Sequence, residues 1–148
     1  MSWIALDTNV LIKAFRDEDA AGDSLRALLA SRAAAGTRFA VPLFCLGEFW
    51  RVATDKRARR PVAPARALTW IDQLLTRGAT LLTPGPLYWA TLKSLLREAL
   101  PVGTDVFDCQ IAALCQEHGI ERIWTFDRAF VRYAPVRAVD PLNDRLQK

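Results

Sequence analysis

Short apolar segments alternate along the chain with longer segments of helical periodicity, and this alternation constrains the fold more than any other feature. The apolar segments lie at 2–6, 39–41, 80–83 and 123–126, and a short edge strand is expected at 136–139. The first segment does not alternate polar and apolar residues, which favours a strand buried on both faces. Strands separated by helices predict an α/β fold with a central, mostly parallel sheet of four to five strands.

Helical periodicity fills the segments between these strands. Helices are predicted over 9–16, 24–35, 43–54, 65–77, 87–99 and 104–118. Gly36, Gly78 and Gly119 directly follow three of them, and glycine is the residue that most often ends a helix in the left-handed conformation. The acidic residues at 17–19 and 23 are expected in a solvated loop and helix start.

Length and composition exclude several classes of protein. At 148 residues the chain is expected to form one domain over residues 1–148 with its own core. Three cysteines without a CxxC pair and a single histidine argue against a zinc site. No signal peptide and no apolar run near the ~20 residues of a membrane span are visible, so a cytoplasmic protein is expected. The net charge of +4 makes an anionic partner plausible without deciding its nature.

Acids follow two of the predicted strands. Asp7 comes directly after the first strand and Asp127 directly after the fourth. The carboxyl ends of parallel strands meet at one edge of a sheet, where ligands of α/β proteins bind. Asp7 alone could also be a helix cap, so the interpretation depends on whether other acids reach the same edge.

Two further acids lie on predicted helices. Glu48 has mostly apolar neighbours, and a buried carboxylate is costly unless a cation or hydrogen bonds compensate it. The alternative is a surface pair with Arg51, which would contribute little. Asp108 lies in the first turn of its helix, where an acid also simply favours the helix dipole, as Asp105 does. Each acid taken singly has a structural explanation, and only their joint placement favours a site.

In these segments the sequence resembles the PIN-domain family, most closely the VapC-type toxins of bacterial toxin–antitoxin pairs. The matching segments are Leu-Asp-Thr-Asn-Val-Leu-Ile at Asp7, Gly-Glu-Phe-Trp-Arg-Val at Glu48, Asp-Val-Phe-Asp-Cys-Gln-Ile-Ala-Ala at Asp108 and Thr-Phe-Asp-Arg-Ala-Phe at Asp127. They cover essentially the whole chain in the family's order. The fourth segment departs from the pattern, because Ala129 stands where a second acid is common. Cys109 replaces the alanine that usually follows the third acid.

The resemblance implies a fold, an activity and partners. The fold would be a PIN-like three-layer α/β/α sandwich forming a single PIN domain. The activity would be that of a Mg²⁺- or Mn²⁺-dependent endoribonuclease acting as a toxin, which leaves 5′-phosphate and 3′-hydroxyl ends. The implied partners are a small antitoxin protein, the RNA substrate and a second copy of the chain in a homodimer.

The chemistry of clustered acids fits a metal independently of the resemblance. Two carboxylates about 4 Å apart repel by ~4 kcal/mol at an effective dielectric of about 20, so a cluster needs cations or protons. Mg²⁺ accepts one or two carboxylates together with waters and phosphate oxygens. We expect Asp7 and Asp108 to hold the principal metal, and Glu48 and Asp127 to complete the cluster or orient water.

Several other residues are candidates for supporting roles. Asn9 and Thr125 either support the acids or are turn and strand-end residues. His118, beside Gly119, is expected to contact carbonyls at its helix end, which argues against a ribonuclease that uses paired histidines. One or two of the tryptophans on the middle helices are candidates for an antitoxin groove, and these are Trp50, Trp70 and Trp89. A set of basic residues is expected either to follow an RNA backbone or to be a solvated face: Arg51, Lys56, Arg57, Arg59 and Arg60.

Three alternative functions remain open at this point. A phosphatase of the haloacid dehalogenase type also uses an acid after the first strand, but it needs a second acid where this chain has Asn9. A housekeeping RNA-processing nuclease would use the same acids as a toxin. A non-catalytic PIN-like binding module would gain nothing from retaining four of them.

Overall fold

The computed structural model describes residues 2–16, 18–133 and 135–143. Within these ranges the chain forms one five-stranded sheet with strand order β3-β2-β1-β4-β5. The strands are β1 (Trp3–Leu6), β2 (Arg38–Pro42), β3 (Thr80–Leu82), β4 (Arg122–Trp124) and β5 (Arg137–Val139). Every neighbouring pair is parallel, and Ala5 of the central strand pairs with Ala40 on one side and Ile123 on the other. The predicted α/β class and parallel sheet are confirmed.

Helices fill each connection between the strands. They are α1 (Thr8–Arg16), α2 (Ala20–Ala34), α3 (Leu43–Thr54), α4 (Pro64–Thr76), α5 (Tyr88–Ala99) and α6 (Asp105–Glu117), with a 3-10 helix at Arg128–Arg132. Gly36 and Gly78 have positive φ angles of 96° and 113°, in agreement with their predicted place after helix ends.

The strand order implies helices on both faces of the sheet. The chain moves from β1 to β2 to β3 in one direction and then returns past β1 to β4 and β5. Because parallel connections are right-handed, the reversal places α1 to α4 on one face and α5 and α6 on the other. In agreement, α1 packs against α2 and α3, α3 packs against α4, and α5 packs against α6. The predicted three-layer α/β/α architecture follows from this reversal.

An aromatic cluster fixes the helices of the first face. Phe49 of α3 is fully buried and lies 5.2 Å, centroid to centroid, from both Phe15 of α1 and Trp70 of α4. Arg16 at the end of α1 donates a hydrogen bond of 3.1 Å to the carbonyl of Val52 on α3. The two helices that flank the end of β1 are therefore held at a fixed separation.

Two predicted boundaries are wrong by two residues or more. Helix α2 begins at Ala20, four residues earlier than predicted, because the Asp19 carboxylate accepts a hydrogen bond of 2.7 Å from the Gly22 amide and caps the helix. Strand β4 ends at Trp124, so Asp127 does not follow it directly. The predictions for Asp17 and for the polar end beyond Asn143 lie outside the described residues.

No helix among the described residues combines the length and the apolar character that crossing a bilayer requires.

Candidate active site

A cleft of about 390 Å³ opens at the carboxyl ends of β1 and β4. The connection after β1 leaves toward β2 and the one after β4 leaves toward β5, so this is the point where the strand order reverses and where α/β proteins bind ligands. All four predicted acids line it. The lining residues are Asp7, Thr8, Asn9, Ile12, Lys13, Glu48, Val52, Asp108 and Asp127.

Asp7 is the buried acid at the base of the cleft, with 6% of its surface exposed. Its Oδ1 accepts a hydrogen bond of 2.8 Å from the Thr8 amide, and its Oδ2 accepts one of 2.7 Å from the Thr125 hydroxyl. The Cys45 thiol lies 3.8 Å from Oδ1, and burial together with Asp7 raises the pKa of this thiol, which stays a neutral donor. The carboxylate therefore has one fixed orientation.

Thr125 and Asn9 join the two central strands beneath the cleft. The Thr125 hydroxyl oxygen accepts hydrogen bonds from the Asn9 amide nitrogen at 3.2 Å and from the Asp127 backbone amide at 3.0 Å. The Asn9 carbonyl oxygen accepts one of 3.1 Å from the Phe126 amide. Both polar groups of Asn9 are thus engaged in fixing the segment that carries Asp127.

Glu48 reaches the cleft from α3, but the reason given for its importance is wrong. Its side chain is 50% exposed, because the face of α3 that includes Trp50 and Arg51 is open to solvent rather than buried. The alternative pair with Arg51 exists only at 4.0 Å. A hydrogen bond of 3.2 Å from the Thr8 hydroxyl links the Glu48 carboxylate to the residue beside Asp7.

Asp108 and Asp127 occupy the opposite side of the cleft. Asp108 lies in the first turn of α6, as predicted. Asp127 is exposed, and its Oδ1 accepts a hydrogen bond of 2.9 Å from the Ala129 amide, which caps the 3-10 helix. Asp127 therefore has a structural role in addition to its place in the cleft.

The acids are close enough to influence one another electrostatically. Burial is the main reason that the pKa of Asp108 is raised to about 6, and the carboxylates of Asp7, Asp127 and Glu48 add to it. Burial also raises the pKa of Asp7, against the lowering effect of the hydrogen bonds from Thr125 and Thr8. The cleft consequently favours cations.

The acids suit a hard divalent cation as oxygen donors. Within residues 2–16, 18–133 and 135–143, no three His, Cys, Asp or Glu side chains already form a group able to hold a metal ion. Mg²⁺ usually takes only one or two carboxylates and completes its shell with water and phosphate oxygens, so it does not require such a group. Two buried or half-buried carboxylates with raised pKa values, Asp7 and Asp108, fit this requirement.

Other sequence predictions do not converge on the cleft. None of the predicted RNA-binding residues is among its lining: Arg51, Lys56, Arg57, Arg59 and Arg60. Arg57 instead pairs with Asp55 at 3.3 Å. The His118 ring nitrogen lies 2.8 Å from the carbonyl oxygen of Thr83, which belongs to another segment. The expected contact was with a carbonyl at the end of its own helix.

Sequence reasoning missed four lining residues, namely Thr8, Ile12, Lys13 and Val52. Helical spacing could have found two of them, since residues four apart share a helix face. Lys13 follows Asn9 by four positions on α1, and Val52 follows Glu48 by four on α3.

The fold and the cleft together define a doubly wound α/β protein with an acidic site at its topological switch point. A family model of the PIN domain matches residues 4–135. Ribonuclease VapC43 of Mycobacterium tuberculosis is 30% identical over 142 residues, which cover 95% of this chain and 96% of that protein. The chain therefore belongs to the PIN domain family, as the sequence motifs predicted.

Solved structures have the same fold at lower sequence identity. Mycobacterium tuberculosis VapC20, described as a toxin that cleaves the sarcin–ricin loop, superposes with a TM-score of 0.63 at 20% identity over 88% of this chain and 95% of that chain. A DNA-bound VapBC from Salmonella typhimurium gives a TM-score of 0.65 at 22% identity over 95% and 99% of the two chains. The homodimer implied by the family resemblance stays a prediction.

Proposed function

We propose that this protein is a divalent-metal-dependent endoribonuclease that acts as the toxin of a toxin–antitoxin pair. One observation carries the proposal: acids from four separate segments, Asp7, Glu48, Asp108 and Asp127, line one cleft at the switch point of the sheet. The relatives that are named ribonucleases support the reaction class, since VapC43 is similar over nearly the whole chain.

Asp7 and Asp108 are the residues that would hold Mg²⁺ or Mn²⁺, and Glu48 and Asp127 would complete the acidic cluster. A divalent cation held there would supply an activated water and positive charge beside the phosphorus. The chain supplies orientation. Asp7 is fixed by its donors, and the hydroxyl of Thr8 ties Glu48 to the same end of α1.

Hydrolysis by activated water is favoured over cleavage by histidine acid and base. The cleft lining contains no histidine among the described residues, and His118 contacts the carbonyl of Thr83 elsewhere. RNA products with 5′-phosphate and 3′-hydroxyl ends are therefore expected. The reaction is expected in the cytoplasm, where such an RNA substrate is found.

A groove of about 410 Å³ between α2 and α4 is the proposed docking place of the antitoxin. Trp70, one of the tryptophans proposed for such a groove from the sequence, lines it with Leu29 and Leu74. Its described lining also includes Arg26, Arg38 and Arg77 and no acid. An amphipathic segment with acidic residues would match both the apolar walls and the charge.

Mapping of cleavage sites on total RNA tests the catalytic proposal. Purified protein with Mg²⁺ or Mn²⁺ is expected to produce a small set of defined cuts with 5′-phosphate ends. Chelator, Asp7→Ala and Asp108→Ala should each abolish them. An exposed acid on α4, Asp72, provides the matched control, and the Asp72→Ala protein should cleave RNA like the wild-type protein. Cleavage that survives chelation and both cleft substitutions would overturn the mechanism.

Induced expression tests the toxin role separately from the chemistry. Growth should stop on induction and recover when a neighbouring small open reading frame is co-expressed, whereas the Asp7→Ala protein should leave growth unchanged. Normal growth in cells that contain folded, RNA-cleaving protein would contradict the toxin role and favour a housekeeping nuclease.

A further inference from the structure

A compact basic loop follows α3. It comprises residues 55–61, and it closes where the Val62 amide donates a hydrogen bond of 3.1 Å to the carbonyl of Ala53 in the last turn of the helix. Asp55 shapes the loop, because its carboxylate accepts a hydrogen bond of 2.9 Å from the backbone amide of Arg57. The basic loop therefore has a defined backbone conformation at the surface.

The structure divides the five basic residues of this region into two sets. Arg51 lies 4.0 Å from the carboxylate of Glu48, and Arg57 lies 3.3 Å from the carboxylate of Asp55. The second set is exposed, and within the part of the chain that the structure describes no acid pairs with any of its members: Lys56, Arg59 and Arg60. Because Arg57 already offsets the single acid of the basic loop, three positive charges remain uncompensated within five residues.

Uncompensated cations so close together suit a polyanionic partner. They raise the positive potential of the surface, which attracts and orients anions. Lysine acts as a compact point charge, and arginine can bind two phosphate oxygens at once. Contacts of this kind with backbone phosphates supply most of the sequence-independent affinity of proteins for nucleic acids.

The basic loop continues one wall of the catalytic cleft. Glu48 and Val52 line that cleft, and α3 ends at Thr54, two residues beyond Val52. With a rise of about 1.5 Å per residue, the loop begins about 9 Å from Glu48 along the helix axis. A strand held at the acids would therefore reach the basic loop with its adjacent nucleotides. The four acids inside the cleft repel phosphates, so cations outside it are better placed to supply affinity for the backbone.

We propose that the basic loop binds the backbone of the RNA strand just outside the cleft, with Lys56, Arg59 and Arg60 contacting phosphates. The inference rests on the proposed function for the identity of the strand. It predicts three phosphate contacts that are measurable without any cleavage.

Binding of a fluorescein-labelled, mixed-sequence 20-nucleotide single-stranded RNA tests the basic loop. Fluorescence anisotropy would be recorded with Mg²⁺ over a range of KCl concentrations, in an Asp108→Asn parent in which cleavage is expected to be lost. The triple variant Lys56→Gln/Arg59→Gln/Arg60→Gln should reduce the slope of log K against log[salt] by ~2, which corresponds to three single-strand phosphate contacts of ~0.7 each. Its binding at about 100 mM KCl should be weaker by about 10- to 100-fold.

Two further variants separate phosphate contacts from net charge and from packing. Lys93→Gln/Arg97→Gln/Arg122→Gln removes the same charge from exposed positions on α5 and β4, and its slope should stay near that of the parent. Arg59→Lys/Arg60→Lys keeps both charges in the basic loop and should also preserve the slope. If circular dichroism shows that the triple variant of the loop is unfolded, Arg60→Gln alone should give one third of the change, ~0.7.

Failure of this proposal and failure of the proposed function give different results. Equal slopes for the two triple variants overturn the assignment of the basic loop, even if the wild-type protein cleaves RNA. Equal slopes together with lost binding of the antitoxin would overturn it in favour of a protein partner. A slope that falls only for the loop variant, in a protein whose wild type never cleaves RNA, supports the basic loop and overturns the nuclease. A parent that binds no RNA at about 50 mM KCl overturns both.

Discussion

At the scale of single residues, the orientation of Asp7 depends in part on Thr125, which is not among the residues that line the cleft. Thr125 donates to one oxygen of Asp7 and accepts from Asn9 and from the Asp127 amide, and it is 3% exposed. One hydroxyl therefore positions two of the acids. Loss of a partner that orients a metal ligand in this way typically lowers metal affinity or activity by about 10- to 100-fold.

Thr125→Val should accordingly impair the site without changing the shape of the core. Valine has the size of threonine but can neither donate to Asp7 nor accept from Asn9. We expect Mn²⁺ affinity and kcat to fall by about 10- to 100-fold, and Thr125→Ser to recover most of both. Titration calorimetry measures the Mn²⁺ affinity, and an RNA-cleavage assay measures kcat. The same exchange at exposed Thr80 of β3 is the control, and identical Mn²⁺ affinity in both valine variants would contradict the role of Thr125.

Asp108 should make stability depend on pH in a metal-free buffer. Its pKa rises from 3.8 to about 6 on folding, so the folded protein binds more protons than the unfolded chain between these values. The contribution of this group to the free energy of unfolding is therefore full below about pH 4 and is lost as the pH rises through 6. At neutral pH its ionised carboxylate destabilises the fold.

Removal of that charge should raise the melting temperature in chelator. Asp108→Asn is expected to melt a few degrees above wild type at pH 7.5. This corresponds to about 1 kcal/mol in a domain of this size, once the effect of the charge is discounted for the solvent screening of a half-buried group. The difference should shrink toward pH 4. Differential scanning fluorimetry measures it, and Asp72→Asn on the exposed face of α4 should show no such trend. A difference that does not vary with pH would contradict the raised pKa of Asp108.

At the scale of helices and strands, the sequence predicted what local pattern controls. The strands, their parallel arrangement and the helix ends at Gly36 and Gly78 all follow from apolar runs and from glycine. The start of α2 was misplaced, because the Asp19 cap overrides the low helix propensity of Gly22. Local pattern also predicted wrongly that Glu48 has buried surroundings, since apolar neighbours such as Trp50 lie on an exposed face of α3.

Contacts between elements explain what the sequence could not predict. Helical spacing places Lys13 on the same face of α1 as Asn9, but only the packing of α1 against α3 brings that face to Glu48 and Val52. The same holds for Cys45 and Thr8, whose contacts with Asp7 and Glu48 join α3 to the end of β1. Helical spacing fixes which residues share a face, but tertiary packing decides what that face meets.

At the scale of the whole molecule, the position of the cleft depends on one topological choice. With β1 in the centre and β4 beside it, the acids after two strands distant in sequence become neighbours. A sequence pattern does not specify strand order, so the predicted convergence rested on family resemblance and on the common edge of a parallel sheet. The convergence of all four acids on one cleft agrees with that expectation.

The surface away from the cleft also exposes large apolar residues. Large apolar side chains are exposed around α5 and the start of α6, with Trp89 at 62%, Leu100 at 73%, Val102 at 80% and Phe107 at 58%. Exposed apolar side chains of this size are typical of surfaces that contact another protein chain, and three of them, Leu100, Val102 and Phe107, lie close together in the sequence.

The central claim is that the four converging acids form one cation site, and Mn²⁺ titration calorimetry tests it most directly. Wild-type protein should bind Mn²⁺ at pH 7.5, and Asp7→Asn and Asp108→Asn should each weaken binding by at least about 10-fold, while Asp72→Asn binds like wild type. Circular dichroism would establish that all variants are folded. Unchanged Mn²⁺ affinity in the folded Asp7→Asn and Asp108→Asn proteins would contradict the account.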